Sequence, residues 1–286
     1  MALDSKVFLK RTCAGAVYII LTGGLTLLSY YTCVLVIAAT SVICCYEFLK
    51  MSKAKEHKPY TVISCIFACL IPLSFLLSMS VTSHILLAFS IALIGGIVIA
   101  LAYFKKIEDT IEDLCISIFA FLYTGLMLSF LILLRDTLPG LEGGLIVVFF
   151  LLSIWMTDAF AYVGGSAWGK HKFCPSISPK KSWEGVLFGY IGSIIFWLLI
   201  PLFIPECGFG YIWAIICAII CATAGIIGDL FESHIKRGFG VKDSGNIMPG
   251  HGGLLDRSDS LLSSSIFAYL LVLAAPYVTA FIGFAL

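Results

Sequence analysis

The stretch DLFESHIKRGFGVKDSGNIMPGHGGLLDRSDS, Asp229–Ser260, is the most polar long segment of a chain that is otherwise mostly oily. It joins two apolar runs, at about 210–230 and 261–284, and so belongs at a membrane face. It carries five Asp or Glu, four Lys or Arg, two His and six Gly. Asp229, Glu232, Ser233 and Lys236 fall at i, i+3, i+4 and i+7, which is one face of a helix. Glycines from Gly238 to Gly253 then break that helix and free backbone N–H groups to approach an anion. Asp256 and Asp259 are again three apart, in what reads as the first turn of the last apolar helix. Carboxylates, water and phosphate oxygens are the ligands Mg²⁺ prefers. Lys236, Arg237, Lys242 and Arg257 can neutralise phosphate oxygens, the arginines in bidentate fashion. The plainer alternative is a solvated basic loop that attracts anionic lipid. The interleaved acids, the helical spacing and the glycine density weigh against it.

Outward from this stretch, the composition sets the class. With 286 residues, only 12% of them charged, and a mean hydropathy of +1.05, the chain reads as an all-α polytopic membrane protein. Apolar runs fall at about 13–28, 32–49, 60–79, 82–103, 113–134, 143–165, 183–204, 210–230 and 261–284, which predicts about nine transmembrane helices. Residues 13–49 are too long for one span, so a tight turn is expected near Ser29–Thr32. With nine spans, 17 of the 18 basic residues fall on one side, Arg135 alone on the other. The positive-inside rule then predicts a cytoplasmic N-terminus and an outside C-terminus. Both chemistry-bearing loops lie on the cytoplasmic side, as in a protein of a cell's inner membrane. The whole of 1–286 reads as one integral membrane domain, with about 1–110 mainly scaffold and about 150–260 the catalytic core. A net charge of +1 gives no indication of nucleic acid. Glu47, an acid at the end of the second run, is expected to pair with a loop lysine or to sit idle at the interface.

A second polar constellation begins at Asp158, well inside an apolar run, where an ionisable group is costly and points to function. Gly164, Gly169 and Lys170 imitate a phosphate-binding P-loop, but His171 replaces the hydroxyl residue and no strand precedes it. Then come Ser178-Pro179-Lys180-Lys181-Ser182-Trp183-Glu184-Gly185. Ser178 as N-cap and Glu184 in the first turns describe a helix N-terminus, which binds anions, here beside two lysines. The alternative is an ordinary capped membrane helix with snorkelling lysines.

Both constellations resemble the signature of the phosphatidate cytidylyltransferases (CDP-diacylglycerol synthases). The residues that carry it are Ser233, Lys236-Arg237, Lys242-Asp243, Pro249-Gly250-His251-Gly252-Gly253, Asp256-Arg257 and Asp259. Upstream, Asp158, Ala161-Tyr162, Gly164, Gly169-Lys170 and Ser178 to Gly185 match as well. Two departures stand out: Gly165 sits where an Arg is common, and Ser182 replaces the usual Thr. The resemblance implies cytidylyl transfer from CTP to phosphatidic acid in the lipid bilayer, giving CDP-diacylglycerol and pyrophosphate. It implies Mg²⁺, with room for a second metal ion, held by Asp229 and Asp256 with Asp259 in support. It implies Ser233, Lys236 and Arg237 on the phosphates, with Lys242, His251 and Arg257 completing the pocket. Asp158, Ser178, Lys180, Lys181 and Glu184 would form the opposite, substrate-binding wall. A homodimer is compatible with a small multi-span enzyme. Two other functions stay open: a CTP-dependent polyprenol or lipid kinase, which releases CDP, and an ion or organic-phosphate transporter. The near absence of charge on the outer side disfavours the transporter.

Overall fold

The structure is a computed structural model that describes residues 5–77, 79–105, 110–248 and 252–285, with side chains from residue 17 to 278. In chain order the helices are α1 (Ser5–Leu28), α2 (Tyr30–Ser52), α3 (Thr61–Leu73), α4 (Val81–Tyr103), α5 (Ile111–Phe121) and α6 (Met127–Arg135). There follow α7 (Gly140–Trp168), a two-stranded hairpin of β1 (Lys172–Cys174) and β2 (Ser178–Ser182), α8 (Trp183–Phe203), α9 (Tyr211–Gly238) and α10 (Leu255–Ala285). Seven helical segments among the described residues are long and apolar enough to cross a membrane. Two further apolar segments, Val17–Leu28 and Thr61–Leu76, are shorter. The fold is all-α and polytopic, as composition predicted.

The helix breaks have local causes. Ser29 takes an extended conformation and its side chain accepts from the Tyr31 amide at 3.2 Å, which ends α1 and starts α2. Ser80 does the same for α4 through the Ser83 amide. Thr110 and Asp113 form a reciprocal capping box at the head of α5. On α4, Leu86, Phe89, Leu93, Ile97 and Leu101 are all exposed. A stripe of that size is unstable in water and suits hydrocarbon.

The chain divides into two compact units. Unit 1 comprises 1–132 and 235–258. Its helices α2, α3, α4 and α5 bury Phe48, Phe67, Ile71, Ile99 and Phe121. Between α5 and α6 the helix widens into a π turn at Leu122–Leu126. Gly125 lies there so close to Ala68 that an added Cβ would come within 2.9 Å of the Ala68 Cα.

Unit 2 comprises 133–234 and 259–286. Its framework is the antiparallel pair α7 and α8, which meet along small residues. A Cβ on Gly185 would approach the Ala161 carbonyl to 2.8 Å, and one on Gly192 the Met156 carbonyl to 2.7 Å. In lipid the hydrophobic drive between helices is weak, so close backbone approach over glycines supplies the dispersion contacts. Trp168 stacks on Phe188 at 5.0 Å and fixes the end of the pair that leads into the hairpin.

Candidate active site

In unit 2 the polar residues gather on α9 and on the hairpin that precedes α8. Ser182, not Ser178, is the N-cap of α8: its hydroxyl accepts from the Gly185 amide at 3.2 Å. Ser178 instead lies in β2, where it pairs across to Cys174. The expected cap was misplaced by four residues because the hairpin keeps the chain extended through Lys180 and Lys181. This register points Lys181 at α9, where its Nζ lies 2.6 Å from Asp229 Oδ2. The other Asp229 oxygen accepts from the Ser233 hydroxyl at 3.2 Å, one helical turn on. Lys180 is exposed.

Glu184, expected on the substrate wall, holds His171. Its Oε1 is 2.6 Å from the ring Nδ1, and both its oxygens accept from the His171 amide at 3.2 Å. The two residues close the base of the hairpin.

The remaining acids of unit 2 form an electrostatic group. Asp259 interacts with the charges of Asp229, Glu232 and Asp158. Glu232 is fully buried and Asp259 8% exposed, whereas Asp158 lies at the surface of the chain. Such an all-oxygen, carboxylate-rich set with a lysine beside it has the donor chemistry of a Mg²⁺ site. Among the described residues, however, no three His, Cys, Asp or Glu side chains converge as a ready-made metal cage.

In unit 1 the glycine-rich loop between α9 and α10 is organised around Asp256. Its Oδ1 is 2.6 Å from Lys236 Nζ. Its Oδ2 accepts from the Ser244 amide at 2.9 Å, the Ser244 hydroxyl at 2.9 Å and the Gly253 amide at 2.8 Å. Gly252, in the left-handed region at φ 87°, turns the chain back so that Met248 N donates to its carbonyl. Arg237 Nη1 donates to the Val241 carbonyl at 3.0 Å and ties the first bend to the end of α9. Lys242 is exposed on the loop and Arg257 in the first turn of α10. His251 lies outside the described residues, with Pro249 and Gly250.

Glu47 also reaches this loop, and here the structure corrects the expectation of a lysine partner. Its Oε2 accepts from the Leu255 amide at 2.8 Å and the Ser244 hydroxyl at 3.3 Å. An acid inside an apolar run was the available signal for Glu47. Ser244, a lone serine in a polar loop, offered none.

A model of the cytidylyltransferase family matches residues 9–275 of the chain. The chain is 37% identical over 173 residues to a phosphatidate cytidylyltransferase of Staphylococcus saprophyticus, covering 60% of this chain and 64% of the relative. It is 45% identical over 122 residues to one of Staphylococcus epidermidis, covering 42% and 46%. It is 34% identical over 180 residues to one of Bacillus subtilis, covering 62% and 65%. In each case the match spans less than two thirds of the relative's length.

Proposed function

The chain belongs to the cytidylyltransferase family, and we propose that it transfers the cytidylyl group of CTP to phosphatidic acid. The single observation that supports this most is the family match from 9 to 275, because it takes in both polar constellations together. An oxygen of the lipid phosphate attacks the α-phosphorus of CTP. The new P–O bond forms as the bond to the β-phosphate oxygen breaks, giving CDP-diacylglycerol and pyrophosphate. The attacking oxygen is already anionic near neutral pH, so the protein need not supply a strong base. What it must supply is alignment and relief of repulsion between two anions.

The residues can do this. Arg237, Lys242 and Arg257 are the cations available to the phosphates from the α9–α10 loop and its edges; Lys236 is a phosphate contact by resemblance, although its ammonium is already paired with Asp256. In unit 2, Lys180 and Lys181 are the cations that the hairpin offers to an anion. Lys181 is held by Asp229, which keeps it extended until a phosphate competes for it. Ser233 orients Asp229 by donating to it. Mg²⁺ would be held by the carboxylates of α9 and α10, with Asp229 and Asp259 leading and Asp158 beside them, and would supply charge neutralisation at the phosphates. Asp256 is a candidate ligand by resemblance, although both its oxygens already accept from protein donors. The chemistry is proposed for the cytoplasmic face, where CTP is available.

Pyrophosphate release by the purified protein tests the proposal. It should require CTP and phosphatidic acid together, with Mg²⁺, and neither substrate alone should suffice. Release of CDP instead, with phosphate passed to a polyprenol, would replace it with the kinase.

A further inference from the structure

We propose that Glu47, on α2, is a positioning residue for the glycine-rich loop that carries Lys242 and leads to Asp256. The inference rests on the proposed role of that loop in holding phosphate. Glu47 lies 197 positions before Ser244 and 208 before Leu255 in sequence. Its side chain is 1% exposed. A carboxylate is rarely placed there unless its oxygens are used. One oxygen accepts from the Leu255 amide, one of the orphan N–H groups at the head of α10, and from the Ser244 hydroxyl. Ser244 has a single hydroxyl proton, which the two acids share, Asp256 Oδ2 at 2.9 Å and Glu47 Oε2 at 3.3 Å. Glu47 and Asp256 therefore grip the same serine from two sides.

The glycines fit around this anchor. A Cβ on Gly245 would clash with Glu47 Oε1, and a Cβ on Gly253 with Glu47 Oε2 and the Ser244 hydroxyl. These two positions thus need glycine because a buried carboxylate occupies the space beside them. Phe48, the next residue on α2, packs edge-on to Phe239 at 6.0 Å, so the α2 segment fixes the near end of the loop as well. The second Glu47 oxygen has no hydrogen-bond partner among the described residues. Both described bonds need only an acceptor, so glutamine can replace glutamate. Aspartate keeps the charge but withdraws the acceptor by one methylene.

The test compares Glu47→Gln, Glu47→Asp and Glu47→Ala in the full-length protein by amide hydrogen exchange across residues 241–255 and by turnover. Exchange reports the anchor whether or not turnover is measurable. Glu47→Gln is expected to match the parent in both within about twofold. Glu47→Ala and Glu47→Asp are expected to speed exchange at Leu255 and to lower kcat by at least about tenfold. Full rescue by Asp with loss in Gln would make charge, not reach, the requirement and would overturn the proposal. Unchanged exchange in Glu47→Ala would overturn it too, as would faster exchange with turnover intact. If Glu47→Ala does not fold, the Gln and Asp pair still decides. A parent protein without cytidylyl transfer would remove the functional reading, while the exchange comparison would still judge the anchor.

Discussion

The pairs Lys181–Asp229 and Lys236–Asp256 are both closed at 2.6 Å, but they lie in different surroundings. The first has side chains 26% and 25% exposed, the second 9% and 10%. Asp229 also accepts from the Ser233 hydroxyl. Asp256 takes three further hydrogen bonds, all of which order the α9–α10 loop. A partly exposed pair contributes little to stability and can open. A buried, fully bonded pair cannot lose one member without stranding the other charge. The first pair can therefore open, and under the proposed function it exchanges partners with a phosphate or a metal ion. The second is built to hold a loop in one shape.

The largest effect should come from breaking the second pair. Lys236→Met strands Asp256 in a nearly closed site, and the loss should be about 3–5 kcal/mol of stability with no turnover remaining. Unfolding in detergent, read beside activity, checks it; a fully stable Lys236→Met protein would put Lys236 and Asp256 in the same class as the exposed pair. Asp229→Asn comes next. It should lower kcat by about a hundredfold, the scale of one lost electrostatic contact to a transition state, while stability changes by less than about 1 kcal/mol. A large stability loss there would make Asp229 structural. Lys181→Ala should act mainly on the KM for a phosphate-bearing substrate, raising it by about tenfold. The smallest effect is expected at Lys53→Ala, on an exposed turn: turnover within about twofold of the parent, measured on mixed micelles. A loss equal to that of Lys181→Ala would mean that general attraction to anionic lipid outweighs the specific pairs.

The comparison also shows how far the sequence could be read. The break at Ser29 was legible because residues 13–49 are too long for one span. The polar stretch from Asp229 was legible because charge is scarce elsewhere. The hairpin before α8 was not: Pro179 suggested a helix start, and nothing local signalled that pairing with Lys172–Cys174 would delay the helix to Trp183. Lys181 and Lys180 looked equivalent, and only strand alternation separates the one that meets Asp229 from its exposed neighbour. Glu184 read as a substrate contact, yet it holds His171, a partner thirteen residues away across the hairpin. Glu47 stood out as an acid, but its partner lay roughly two hundred residues on, beyond any local rule.

The most direct test follows two different phosphorus labels, one at the α and one at the γ position of CTP, through a single reaction with phosphatidic acid and Mg²⁺. The account predicts that the α label moves into chloroform-soluble lipid while the γ label leaves as pyrophosphate. The γ label in lipid with the α label left on CDP would contradict it.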